Sequence, residues 1–201
     1  SRPHSKLGAT LDEVERLLSE QPERLADLEG LLIHTNADSE DFTPILETVD
    51  ILRRRIAPLL ERLEWLNLGG GYLFREGQNR APLRRALETL EAYPNLEVMF
   101  EPGSSIIRRA GHLVSTVVDR FSSEGREIAV LDTTVNHLPE VFEYQYHHDV
   151  WSERQNGDHT YVLAGSTCLA GDLFGAYSFD EPLEVGSRVI FENTGSYSLV
   201  K

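Results

Sequence analysis

The 201-residue chain carries 33 Asp and Glu against 19 Lys and Arg, a formal net charge of −14. Binding to a phosphate backbone needs clustered Lys and Arg, so this balance argues against a nucleic-acid partner. It is compatible with a cationic small molecule, and equally with acid that only keeps the chain in solution. No apolar run approaches the roughly 18 residues that span a bilayer, and Ser1-Arg2-Pro3-His4-Ser5-Lys6 contains no apolar signal region. The lone cysteine, Cys168, excludes an internal disulfide framework and fits a reducing compartment, so a cytoplasmic protein with no membrane partner is expected.

The first half alternates helix and strand signals. Thr10 and Glu13 have capping-box spacing ahead of Leu11, Val14, Leu17 and Leu18. This predicts a helix that stops near Gln21-Pro22. Gly30-Leu31-Leu32-Ile33-His34 then reads as a short buried strand ending on a histidine. Thr43-Pro44 opens a second helix with the stripe Ile45, Val49, Leu52, Ile56, Leu59 and Leu63. Pro58 is expected to kink it. Trp65-Leu66-Asn67-Leu68 leads into Gly69-Gly70-Gly71, a third helix follows Pro82, and a strand over 96–100 ends at Glu101-Pro102-Gly103. Three helix-then-strand units imply parallel strands joined by helical crossovers. A closed eight-fold barrel needs about 250 residues, so these units supply only part of one.

Beyond residue 105 the texture changes. Val- and Thr-rich runs at 113–121, 127–131, 159–164 and 187–191 read as strands, with Gly125, Gly157 and Gly186 as turn formers between them. The expected architecture is α/β: a partial (β/α) barrel over 1–107, then an antiparallel β domain, sandwich- or barrel-like, over 108–201.

Three candidate sites lie just past the C-terminal ends of the predicted parallel strands, where chemistry collects in barrels and open α/β sheets. Gly69-Gly70-Gly71 is either a plain flexible loop or one whose backbone approaches an anion such as phosphate. Glu101 is either half of a structural ion pair or a carboxylate facing a protonated ring nitrogen. His34 is either a packing residue or a flat ring for a planar cofactor to stack on. In the second half, Cys168 lies in Ser166-Thr167-Cys168-Leu169-Ala170-Gly171-Asp172. It is either a small buried hydrophobe or a thiol that donates a proton at a loop site. Asp132, at a strand end, either caps a turn or binds an amine, and His137 follows five residues later.

In this order the residues resemble the pyridoxal-phosphate (PLP) dependent decarboxylases of the alanine-racemase fold, which act on ornithine, diaminopimelate and carboxynorspermidine. The most specific stretch, Thr167-Cys168-Leu169-Ala170-Gly171-Asp172-Leu173-Phe174-Gly175, looks like the carboxynorspermidine branch, and Asn193-Thr194-Gly195-Ser196-Tyr197 resembles the family's Gly-Ala-Tyr segment. The resemblance implies PLP as cofactor. His34 would stack on its ring and Glu101 would face its pyridine nitrogen. Asn36, Gly69, Gly70, Gly71, Gly103 and Tyr197 would surround the remainder, chiefly the phosphate. It further implies a polyamine-chain substrate held by Asp132, His137 and Asp172. Cys168 would be lent across a homodimer with shared active sites and would act, with His34, in catalysis. The activity implied is decarboxylation of carboxynorspermidine or carboxyspermidine in polyamine biosynthesis. Diaminopimelate or another amino acid as substrate, or a non-catalytic homologue, are the alternatives.

Two departures stand out. Relatives acting on ornithine or diaminopimelate have arginine after Glu-Pro-Gly, where this chain has Ser104. The family's cofactor-bonding lysine sits on an early barrel strand, in an N-terminal part with no counterpart here. Lys6, in a Ser-Lys-Leu-Gly segment before a helix, is a poor substitute. The expectation is a fragment inactive by itself, with chemistry assigned to its parent protein.

Overall fold

A computed structural model of the chain describes residues 6–198. They fall into two compact units that divide between Ser105 and Ile106.

In the first unit, helix α1 (Leu11–Glu20) begins with a complete capping box. The Thr10 hydroxyl accepts from the Glu13 backbone N–H, and the Thr10 backbone N–H donates to the Glu13 carboxylate. Strand β1 (Gly30–Leu32) follows, then α2 (Thr43–Leu60), β2 (Trp65–Asn67), α3 (Ala81–Leu90), β3 (Glu97–Met99) and the single turn α4 (Gly103–Ile107). The three strands form a parallel sheet in the order β1-β2-β3, with Gly30 opposite Trp65 and Trp65 opposite Glu97. Gly30 is required there: a Cβ would fall 2.0 Å from the Trp65 ring.

Helix α2 carries Pro58 and breaks at Ile56, whose φ of −132° and ψ of 29° are not helical. A proline ring cannot coexist with an unbroken preceding turn. The stripe nevertheless stays on one face. Ile45, Val49, Leu52, Ile56 and Leu59 are buried with Leu66, Leu68 and Tyr72 in one core.

The second unit is built on a five-stranded sheet, ordered β7-β6-β5-β4-β8, from β4 (Leu113–Ser123), β5 (Arg126–Leu131), β6 (His159–Ala164), β7 (Leu173–Phe179) and β8 (Arg188–Phe191). A short helix, α5 (Glu140–Tyr144), interrupts it. The expected antiparallel sheet requires one correction, because β5 pairs with β6 in parallel while the other three pairings are antiparallel. The segment between β5 and β6, with α5 inside it, acts as a crossover rather than a hairpin. Strand β7 was not foreseen. Gly175 has φ +126° and the register shifts between Leu163 and Ala164, so its buried residues run Phe174, Tyr177, Phe179 and break the two-residue period that a strand displays. Val117, Leu131, Leu163, Tyr177 and Phe191 centre the second core.

Among the described residues no helix is long and apolar enough to cross a membrane.

Candidate active site

In the first unit the three strands end level with one another, and hydrogen bonding continues past their last residues. Ile33 N–H donates to Asn67 O at 2.8 Å, Leu68 N–H to Met99 O at 2.9 Å and Glu101 N–H to Gly69 O at 2.9 Å. His34, the glycine run and Glu101 therefore meet at one end of the sheet. Here the three glycines are not a slack loop. Gly69 and Gly71 have φ of +71° and +80°. A Cβ on Gly69, Gly70 or Gly71 would fall 2.5, 2.4 or 2.0 Å from the backbone oxygen of Ile33, Glu101 or Asn36 respectively. Side chains are excluded because three backbones converge.

Asn67 connects these pieces. Only 8% exposed, it accepts the Gly69 N–H on Oδ1 at 2.8 Å and donates from Nδ2 to Glu101 Oε1 at 2.8 Å. The Gly69 amide is thus committed within the protein, which leaves the Gly70 and Gly71 amides as the anion-facing candidates of the loop. Asn36 donates to the Thr35 hydroxyl at 3.0 Å and to the hydroxyl of buried Tyr72. Burial raises the Tyr72 phenol above its ordinary pKa, an effect that hydrogen bonds from Thr35 and Asn36 oppose. His34, Glu101 and Gly103 are exposed, and a Cβ on Gly103 would meet nothing within 4 Å.

This end of the sheet fits a flat heterocycle bearing an anionic group. It offers an exposed imidazole on one flank, an oriented carboxylate on the other, a glycine backbone between them and open space beside Gly103.

In the second unit, two segments carrying candidate residues are stitched together. The first is 132–137. One carboxylate oxygen of exposed Asp132 accepts from Ser115 Oγ at 2.6 Å and from the Thr116 N–H at 2.7 Å. These bonds, the Ser115 one foremost, hold its carboxyl below the ordinary 3.8. His137 Nδ1 lies 2.9 Å from Thr133 Oγ1. The second segment is the loop 165–172, where Cys168 is exposed. Asp172 is only 2% exposed. It accepts from the Val135 N–H at 2.8 Å, Thr134 Oγ1 at 3.1 Å, the Thr167 N–H at 3.1 Å and Thr167 Oγ1 at 2.5 Å. Its carboxylate is saturated from within and holds the Cys168 loop against 134–135. Gly165 makes room for it, since a Cβ there would lie 2.3 Å from an Asp172 oxygen.

Tyr197 is exposed, on a segment anchored by Thr194 N–H to Gly111 O and Gly195 N–H to Arg108 O, both at 3.0 Å. A Cβ on Gly195 would fall 2.1 Å from Ile107 O.

Sequence reasoning missed Asn67. The available signal was one polar residue inside the apolar run Trp65-Leu66-Asn67-Leu68 at a buried strand end.

The family model "Pyridoxal-dependent decarboxylase, C-terminal sheet domain" matches residues 25–195. A carboxyaminopropylagmatine decarboxylase of Synechocystis sp. is 38% identical over 177 residues, covering 86% of this chain and 46% of that protein. A carboxynorspermidine/carboxyspermidine decarboxylase of Herminiimonas arsenicoxydans is 32% identical over 203 residues, covering 100% of this chain and 53% of that protein. The solved carboxynorspermidine decarboxylase of Campylobacter jejuni, complexed with norspermidine, superposes with a TM-score of 0.83 at 26% identity, over 99% of this chain and 56% of that one. The chain spans about half the length of the curated relatives it matches.

Proposed function

Because the chain belongs to the pyridoxal-dependent decarboxylases, we propose that it supplies cofactor-facing and substrate-facing residues for decarboxylation of carboxynorspermidine or carboxyspermidine, a step of polyamine biosynthesis. The observation that carries this reading is the convergence of His34, the glycine run and the Asn67-held Glu101 at one sheet end. When bound there, PLP supplies a ring that takes up the charge left on the α-carbon as carbon dioxide departs.

This chain's residues do the rest. His34 presents the face of its ring to the heterocycle. Glu101, oriented through Oε1, keeps a proton on the ring nitrogen. The Gly70 and Gly71 amides and the open flank of Gly103 receive the phosphate, with Asn36 alongside; Tyr197 of the second unit is assigned a further cofactor contact on the family resemblance alone. Asp132 and His137 attract the amines of the substrate chain. Asp172 acts one step back by fixing the loop that presents Cys168, whose thiol is typed to return a proton to the α-carbon. Lys6 is exposed and precedes α1 rather than ending a strand, so no cofactor bond is assigned to it; Lys201 lies outside the described residues. The cofactor-bonding lysine is placed outside this chain.

We also propose a homodimer. Exposed Phe142, Leu169 and Leu173 accompany Cys168, with a Cβ on Gly171 only 4.0 Å from the Phe142 ring. A second copy would cover these side chains and share its thiol. The lone thiol suits the cytoplasm.

The test is carbon dioxide release by the PLP-loaded full-length protein, the one that carries the cofactor-bonding lysine, from carboxynorspermidine, carboxyspermidine, diaminopimelate and carboxyaminopropylagmatine in parallel. Preference for the first two supports the reading. Preference for carboxyaminopropylagmatine, the substrate named for the 38%-identical relative, moves the assignment to that reaction. No release from any of them overturns the enzymatic reading in favour of a non-catalytic homologue.

A further inference from the structure

We propose that Asn67 is a positioning residue which sets the orientation of Glu101 and, through the same amide, the entry to the glycine run. The inference rests on the cofactor site proposed above.

The chemistry of the Asn67 amide fixes its orientation. A backbone N–H can only donate, so the atom of Asn67 facing Gly69 N must be Oδ1. This fixes the other end of the amide as the NH2 group, which faces the Glu101 carboxylate at 2.8 Å. No flipped arrangement satisfies both neighbours. The bond to Gly69, two residues ahead, is an Asx-type turn that aspartate would make equally well. Aspartate would, however, set a second carboxylate against Glu101. Serine would keep an acceptor for the turn and fall short of Glu101. Asparagine meets both demands from one buried position, and its backbone oxygen also accepts the Ile33 N–H that leads to His34.

Glu101 gains a defined rotation. Its Oε1 is occupied by Asn67, while among the described residues Oε2 has no hydrogen-bond partner. Glu101 is exposed, and an exposed carboxylate without this tether would sample several rotamers. With it, one oxygen stays free to meet a ring nitrogen. One amide therefore links the group that meets the ring to the loop that meets the phosphate.

The experiment compares the whole PLP-loaded protein with its N67D, N67S, E101Q and N67D/E101Q variants. It reads the cofactor dissociation constant, the pH profile of the bound cofactor's absorbance, and Tm. N67D keeps the turn and sets two carboxylates against each other. Its dissociation constant should rise about tenfold or more, as for a lost charge-assisted hydrogen bond, and its absorbance profile should move toward lower pH. N67S should shift both in the same direction by less, and serves if N67D does not fold. In N67D/E101Q, donor and acceptor exchange places; Tm should recover toward wild type while the absorbance profile does not. If N67D and N67S alter Tm alone and leave affinity and absorbance profile as in wild type, Asn67 is structural and the inference is overturned. If E101Q also binds and absorbs like wild type, the role given to Glu101 fails instead. Changes in E101Q without changes in N67D or N67S remove the Asn67 inference only.

Discussion

Gly70 and Glu101 leave no room for a side chain between them: a Cβ on Gly70 would sit 2.4 Å from the Glu101 backbone oxygen. Gly70 does not have a positive φ, so the demand for glycine is one of space. Gly70→Ala should destabilise the first unit by roughly 1–3 kcal/mol, the usual cost of overpacking, and weaken cofactor binding with it. Gly103 has open space around its missing Cβ. Gly103→Ala should change stability by no more than about 0.5 kcal/mol while still lowering PLP affinity. Urea unfolding of the apo-protein and PLP titration would measure both. Unchanged affinity in Gly103→Ala would remove Gly103 from the phosphate site.

Asp172 makes four hydrogen bonds from a nearly buried carboxylate. Asp172→Asn would turn an NH2 group toward donors it cannot accept from, at a cost of about 1–3 kcal/mol. Burial alone would raise the carboxyl pKa, but bonds from Thr167, Val135 and Thr134 outweigh it and hold it below 3.8. Because the folded pKa lies below the unfolded one, Asp172 contributes its full stabilisation above about pH 4. That contribution disappears as pH falls through the folded value. The acid limb of a stability-versus-pH curve should therefore be shallower in the Asn variant. An unchanged limb would show that Asp172 does not hold the loop.

His148 provides a second pH effect at higher pH. It is 1% exposed, and among the described residues its Nε2 has no hydrogen-bond partner. Burial, then the charges of Arg108 and His147, push its pKa down from 6.5 to about 4, against the pull of Asp149. Glu140 Oε2 lies 3.9 Å from Nε2, and the Tyr146 ring packs edge-on at 4.7 Å. Between pH 4 and 6.5 the unfolded chain binds the proton that the folded chain refuses, so stability falls as pH drops through that window. The upper bound of the loss is about 3 kcal/mol. His148→Phe should flatten that part of the curve, as followed by thermal unfolding between pH 4 and 7.

Cys168 is exposed and contributes nothing to either core. In the full-length protein that carries the cofactor-bonding lysine, Cys168→Ala should lower kcat by about a hundredfold or more, the ordinary worth of a positioned proton donor, and leave Tm within about 1 °C. Leu169→Asp should shift the protein from dimer to monomer in light scattering and lose activity with it. A monomeric wild-type protein would contradict the shared site.

Much of the architecture was legible because it depends on short-range periodicity. The stripe of α2, the Thr10–Glu13 cap and the apolar strands before His34, Gly69 and Glu101 declare themselves within windows of a few residues. Strand ends followed by glycine and charge pointed to the sheet end where these residues meet. Asp172 was legible as part of a loop motif and not as a buried anchor, because its four donors lie on Thr134, Val135 and Thr167. Strand β7 was hidden by the bulge near Gly175, which breaks the two-residue alternation of a regular strand.

By itself the sequence determined most of the elements, the change from an α/β part to a β part, and the residue types available for chemistry, since these follow from local pattern and composition. Only the tertiary structure decided that β5 and β6 run parallel, that the glycine run is packed against Ile33, Asn36 and Glu101 rather than slack, and that Asn67 orients Glu101. Asn67 and Glu101 lie 34 residues apart in the chain. A hydrogen bond across that separation exists only once two strands have paired in register, and no local pattern records it.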